Sequence, residues 1–219
     1  MSSSEEHQPS LIVFASGSKD GGGSGFGQLV AARNRGSLRA RIVAVVSNHA
    51  DGGVRSRAEA LGIPFIHFDG PWEAQAYRDL VAKIGAEWVA LSGWLKPVRG
   101  LDPARTFNIH PGPLPRFGGK GMYGHHVHEA VLAAYRRGEI PHSEVCMHFV
   151  TDEYDQGPVF FRHPVGIMSD DTVETLAKRV NATEHAWQAH ITNMVIHGRI
   201  RWDGRDPASL AVPDGYAFL

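Results

Sequence analysis

The sequence predicts a doubly wound α/β domain on a mainly parallel sheet, and three observations lead there. Short apolar runs recur along the chain, such as LIVFA at 11–15 and IVAVV at 42–46, with the continuous apolar character of strands buried on both faces. Segments with helical patterning and glycine stops lie between them. At 219 residues the chain can build one sizeable core. Strands alternating with helices specify parallel crossover units rather than hairpins.

The elements follow in order. Residues 11–15 form the first strand, which runs into the glycine loop SGSKDGGGSGFG. A helix starts near 24–26 and stops before Gly36. A strand at 41–47, a helix at 54–61 ending at Gly62, and a short strand at 64–68 come next. Residues 71–84 read as a helix with Pro71 in its first turn, where the missing N–H has no partner to lose. Strands at 87–91 and 106–110 follow, then a helix at 124–137. From Glu144, EVCMHFVTDEYDQGPVFFRHPVGI reads as strand, loop, strand, an antiparallel extension of the sheet. Asp170, Asp171 and Thr172 open a long late helix at 173–197. The expected organisation is a frayed tail at 1–10, one domain at 11–204 and a polar C-terminal tail at 205–219 with weak strand signals.

Composition narrows the function. The net charge of −1 leaves no basic footprint for nucleic acid or an anionic membrane. Cys146 is the single cysteine, so an intramolecular disulfide and a cysteine zinc site are both ruled out. No apolar run approaches the roughly 20 residues of a membrane-spanning helix. The opening MSSSEEHQPS lacks the basic and apolar regions of a signal peptide, so a cytoplasmic protein is expected. His125, His126 and His128 offer only one same-face helical pair, His125 with His128, and no HExxH spacing. A solvated or packed helix face is expected there, with no metal.

The chemistry gathers at strand ends, where open α/β sheets bind ligands. A strand, a glycine loop and a helix N-terminus make an anion site, with Lys19 adding charge. The loop is neither GxxxxGK[ST] nor GxGxxG, and Asn48 stands where a ribose-gripping acid would be. A phosphate on a small substrate is therefore expected rather than a dinucleotide. In TFNIHPGPLPRFGGKGMYG, Asn108 and His110 share one face of a strand. An amide donor beside an imidazole is what a reacting carbonyl needs, one group for the oxyanion and one for protons. The loop TDEYDQG can set a carboxylate opposite His110, raising its pKa and orienting its ring. The residues alone leave Asp152, Glu153 and Asp155 as alternatives.

NIHPGPLP followed by HFVTDEYDQGPV resembles the formyltransferases that use 10-formyltetrahydrofolate. With GGKGMYG added, the stretch is most similar to the members that formylate 5'-phosphoribosylglycinamide in purine synthesis. The resemblance spans 11–204 and implies a Rossmann-like fold. It implies catalytic roles for Asn108, His110 and Asp155, the last acidic residue before Gly-Pro. It implies phosphate and ribose binding at Gly17, Ser18, Gly23, Ser24, Gly25, Asn181 and Glu184. Folate would lie against Leu95, Lys96, Val98, His148, Val150 and Thr151. The implied partners are small molecules, with 10-formyltetrahydrofolate as co-substrate, no metal, no nucleic acid and no membrane, in a monomer or homodimer.

The chain departs from the family pattern in three places. Its first loop is longer than Ser-Gly-x-Gly-Ser-Asn, with Gly25 in place of the Asn. Pro97 gives the folate segment no N–H, while Lys96 and Val98 keep theirs. Asn181 stands where better-known relatives carry Gln. The alternatives within the family are a 10-formyltetrahydrofolate hydrolase, which would carry a regulatory domain before the catalytic one, and a formyltransferase acting on an amino-sugar nucleotide. A methionyl-tRNA formyltransferase would need a further RNA-binding domain. Outside the family stand a non-catalytic folate- or phosphate-binding protein and a histidine-based metallohydrolase.

Overall fold

The computed structural model describes residues 7–19 and 21–219. Among these, one sheet contains β1 (Ser10–Phe14), β2 (Arg41–Ser47), β3 (Phe65–His67), β4 (Trp88–Ser92), β5 (Thr106–His110), β6 (Ser143–Phe149) and β7 (Val159–Val165). Five α-helices accompany them: α1 (Ser24–Asn34), α2 (Gly53–Leu61), α3 (Ala74–Ile84), α4 (His125–Arg136) and, after the last strand, α5 (Val173–Ile196). The spatial order is β3-β2-β1-β4-β5-β6-β7. The first five strands are parallel, and β6 and β7 are antiparallel to their neighbours. This is the Rossmann-like, doubly wound sheet with an antiparallel extension and a long late helix.

Strand alternation divides the core in two. Leu11 and Val13 face the layer of α1, α2, α4 and α5, while Ile12 and Phe14 face the layer of α3. On the α3 side, Tyr77 is fully buried and Phe14, Phe68, Trp72 and Trp94 meet it or each other edge-on or tilted. Such ring pairs add about 0.5–1.5 kcal/mol beyond their buried area. The Tyr77 hydroxyl donates to the Pro97 carbonyl at 2.7 Å and accepts from the Trp94 indole at 3.2 Å. The segment after β4 is thereby fastened to α3, even though Pro97 has no N–H to offer.

The strand order reverses between β1 and β4, which opens a crevice beyond their carboxyl ends. Ser16 bridges that crevice. Its N–H donates to the Gly93 carbonyl at 2.9 Å and its hydroxyl accepts the Leu95 N–H at 2.9 Å. At the start of α5, Thr172 forms a reciprocal capping box with Thr175. Asp171 accepts from Arg179 at 2.6 and 2.8 Å and from the Met168 N–H at 2.7 Å, which fixes how α5 enters.

Two regions differ from the sequence expectation. Helix α3 begins at Ala74 rather than at Pro71. Gly70 has φ of 113°, Trp72 packs edge-on against Phe68, and Glu73 is the extended N-cap residue, so Pro71 belongs to the turn. The C-terminal segment is folded onto the domain. Arg201 and Ala211 form a bridge, Trp202 is buried, and Phe218 packs on Phe161 and Trp187 at 5.3 and 4.9 Å. These aromatics carry no strand or helix period, so only their tertiary contacts reveal the order. At the other terminus, residues 1–6 of the tail expected at 1–10 lie outside the described residues, and Ser10 opens β1.

Gly157, in the β6–β7 connection, passes so close to the Phe149 carbonyl that a Cβ would collide with it. Gly157→Ala is expected to cost at least about 1–3 kcal/mol, the usual penalty of an unrelieved overlap. Urea unfolding measures this, and parental stability would show that the connection yields freely.

Candidate active site

Strand β5 supplies the first two groups. Asn108 pairs in register with His148 on antiparallel β6, which brings their side chains together across the ladder. The Asn108 amide nitrogen lies 3.1 Å from His148 Nε2. Nδ1–H of His148 donates to the Phe149 carbonyl at 2.7 Å, and Nε2 lies between the Asn108 amide and the Asp155 carboxylate. His110, at 3 % exposure, donates Nε2–H to the Phe117 carbonyl at 2.8 Å. Its Nδ1 is then the open nitrogen, 3.8 Å from the Asp155 carboxylate.

Of the three acidic candidates in TDEYDQG, only Asp155 reaches these rings. One carboxylate oxygen lies 3.3 Å from His148 Nε2, and the other accepts the Gly119 N–H at 2.8 Å. Asp152 instead accepts the Gly100 N–H at 2.8 Å, which ties the loop to the segment after β4. The Glu153 N–H is 3.4 Å from the Thr151 hydroxyl. Asp155 adopts φ of 54°, the one left-handed non-glycine residue among those described. That conformation costs about 1–3 kcal/mol and persists only where its surroundings enforce it.

The electrostatics correct one sequence expectation. Burial pushes the Asp155 carboxyl up, but the His148 hydrogen bond, the His110 charge and the Gly119 N–H together hold it below the ordinary value. His110 goes down, not up. Burial lowers it most, His148 lowers it further, and the upward pull of Asp155 does not compensate. The sequence shows the carboxylate but not the depth of the ring.

Two cavities meet at this group. The larger, about 820 Å³, is lined by Gly17, Ser18, Gly23, Ser24 and Gly25 of the first loop and by Asn108, His110, Asp155, Asn181 and Glu184. The smaller, about 390 Å³, is lined by Lys96, Val98, His148, Val150 and Thr151, again with Asn108 and Asp155. Apart from Lys19, every sequence-derived site residue thus borders one chamber or the other, and Asn108 and Asp155 border both. Leu95 is the exception to its grouping. It faces the larger chamber, apart from Lys96 and Val98, and its N–H is committed to Ser16.

The larger chamber has an anion-binding end. Helix α1 is preceded by Gly23 in the left-handed region at φ 69°, with no side-chain cap. Its first intrahelical bond is Gly27 N–H to the Gly23 carbonyl at 3.0 Å, so the N–H groups of Ser24, Gly25 and Phe26 lack helical partners. His185 stands above this turn, Nε2 to the Ser24 hydroxyl at 3.1 Å. On α5, Asn181 donates to Glu184 at 3.1 Å. Burial raises the Glu184 carboxyl to about 7, so near neutrality it can both donate and accept.

Four lining groups escaped the sequence reading: Ser92, His128, His185 and Gln188. Two of them, His185 and Gln188, had a readable signal. Asn181, Glu184, His185 and Gln188 recur at helical spacing and form a polar stripe on a largely apolar helix. His128 is buried rather than solvated, and its Nδ1 has no partner. His126 lies 3.5 Å from Glu129 on the same helix. Among the described residues no group of three or more His, Cys, Asp or Glu is placed to hold a metal ion, and no helix is long and apolar enough to cross a membrane.

A doubly wound sheet carrying an amide, imidazole and carboxylate between two chambers defines a group-transfer enzyme that brings two small molecules together. The formyl transferase family profile matches residues 10–192, and the chain belongs to that family. It is 37% identical over 213 residues to the chloroplastic phosphoribosylglycinamide formyltransferase of Arabidopsis thaliana, covering 92% of this chain and 70% of that one. It is 31% identical over 208 residues to the phosphoribosylglycinamide formyltransferase of Escherichia coli K12, covering 87% and 89%. Against two further chloroplastic relatives, from Vigna unguiculata and Glycine max, it spans 62% and 64% of their length. Glycinamide ribonucleotide transformylase 1 from Symbiobacterium toebii superposes with a TM-score of 0.79 at 28% identity, covering 97% of this chain and all of that one.

The buried histidines predict an acid-side loss of stability. Burial, with the charges of His125 and His110, lowers His128 from 6.5 to about 4, and His110 is lowered as well. Below 6.5 the unfolded chain binds protons that the fold refuses, so the unfolded state gains. Their contribution is complete above 6.5 and is lost as pH falls toward the folded values. Tm should drop between pH 6.5 and 4, and His128→Met, which removes one titration, should shallow that slope in calorimetry. An unchanged slope would mean His128 titrates alike in both states.

Proposed function

We propose that the chain transfers the formyl group of 10-formyltetrahydrofolate to the amine of 5'-phosphoribosylglycinamide. The observation that carries this reading is the shared wall. Asn108 and Asp155 border both chambers, so an amine in one and a formyl donor in the other meet at the same side chains. The phosphorylated amine occupies the larger chamber, its phosphate at the uncapped α1 turn and its ribose toward Asn181 and Glu184. The pterin occupies the smaller chamber, between the segment after β4 and the acidic loop.

The chemistry follows from the protons available. The amine nitrogen attacks the formyl carbon and its oxygen becomes an oxyanion. The Asn108 amide nitrogen carries two N–H groups, and the one turned away from His148 Nε2 serves that oxygen. A donor so oriented lowers the barrier by about 3–4 kcal/mol. His110 is neutral at pH 7, with Nε2–H committed to Phe117 and a lone pair on Nδ1. Nδ1 takes the proton released by the attacking amine, and the imidazolium formed is stabilised by ionised Asp155. The bond from N10 to the formyl carbon then breaks, and the same proton passes to N10. Holding amine and formyl group in contact accounts for much of the remaining acceleration.

An assay following folate absorbance, with and without phosphoribosylglycinamide, tests the reading. Turnover is expected only with the amine present, and amine-independent release of formate would replace the transferase with a hydrolase. Asn108→Ala should lower kcat by about 10²–10³-fold. His110→Ala should abolish turnover in a folded protein, and normal activity would refute its role. Asp155→Asn removes the larger of the two pulls that raise His110, the other being the Phe117 carbonyl, so the His110 NMR titration should move further down while transfer slows. An unmoved titration would remove the electrostatic role given to Asp155.

A further inference from the structure

Gln188 of α5 is 1 % exposed, yet its amide borders the larger chamber. Among the described residues its only hydrogen-bond partner is Ser92, the last residue of β4. Nε2 donates to the Ser92 hydroxyl at 3.0 Å, and Oε1 stands 3.5 Å from the same oxygen. A primary amide has two N–H donors and two lone pairs, so one contact leaves most of its capacity unused. Turning the amide over changes little, because the Ser92 hydroxyl can donate to Oε1 and both N–H groups are then free. Buried polar groups rarely stay so under-used unless something else is bound.

Gly25 explains where the amide points. A Cβ at that position would collide with the Ser92 hydroxyl and lie 2.8 Å from Gln188 Oε1. The missing side chain therefore leaves the space that Gln188 and Ser92 occupy. Gly25 is also the second residue of α1, in the uncapped turn whose N–H groups lack helical partners. Three walls of the chamber, from α1, β4 and α5, meet at this one amide.

We propose that Gln188, supported by Ser92, is a specificity-determining residue of the acceptor subsite. Its free N–H donates to an oxygen at the phosphorylated end of the amine, beside the Gly25 N–H. Gly25 and Gln188 form a matched pair, the glycine lacking a side chain because the amide fills its place. This rests on the proposed function in taking the acceptor to be a phosphorylated amine.

The test is a double-mutant cycle on the full chain with a charge-introducing control. Gln188→Glu keeps shape and a Ser92 bond but turns a donor into a carboxylate beside the anion. It should raise the KM for phosphoribosylglycinamide about ten- to hundredfold, as expected for losing a hydrogen bond to a charged group. It should weaken inhibition by inorganic phosphate in parallel, with donor KM unchanged. Gly25→Asn should lower Tm and acceptor affinity in the parent, and much less in a Gln188→Ala background. An unchanged acceptor KM in Gln188→Glu, or a donor KM rising with it, overturns the contact. Additive effects of Gly25→Asn and Gln188→Ala overturn the pairing. A parent chain that never formylates phosphoribosylglycinamide defeats the functional reading alone, because the Tm cycle and the rise of Tm with added inorganic phosphate still judge the pair.

Discussion

The site depends on one carboxylate being held where a chain would not spontaneously put it. Asp155 sits in a left-handed conformation between two buried imidazoles, with a backbone N–H on one oxygen. The strain, of about 1–3 kcal/mol, is offset by contacts that converge from three segments. Gly119 comes from the loop after β5, His148 from β6, and the turn itself is pressed against β6 through Gly157. Asp155 therefore joins the parallel half of the sheet to its antiparallel extension. Without it, a charge formed on His110 would meet a low-dielectric interior with no carboxylate to stabilise it.

That geometry sets the direction of proton flow. Deep burial keeps His110 neutral in the resting protein, and the nearby carboxylate gives a charge formed on it somewhere to be stabilised. The separation of 3.8 Å is beyond a hydrogen bond, so the pair is electrostatic in the free protein. A base that is neutral at rest and stabilised once charged suits a reaction in which one proton must leave an amine and arrive elsewhere.

The walls around this centre are rigid for reasons remote from it. Helix α5 is fixed at its start by Asp171 and Arg179, and its face then carries Asn181, Glu184 and Gln188 along the larger chamber. The segment after β4 is fixed by Tyr77 through a carbonyl, so the proline within it does no harm to the smaller chamber. Asp152 ties the acidic loop to the same segment, and both walls of that chamber are thus held by one network. Residues in the layers thereby control distances in the site.

The sequence by itself determined the fold class, nearly every element and two of the candidate groups, Asn108 and His110. Strand and helix periods, glycine stops and turn residues act over a few positions, so LIVFA, TFNIH and the Thr172 start of α5 are legible in one dimension. The motif pair around Asn108 and Asp155 is legible because each half is local. Only the tertiary structure decided which acid of TDEYDQG faces His110, that burial drives this histidine's pKa down, and that Leu95 turns toward the other chamber. It alone packed Trp202 and Phe218 into the domain and set Gln188 into the space left by Gly25. Each of these depends on depth and on contacts between residues far apart in the chain, quantities that local pattern does not encode.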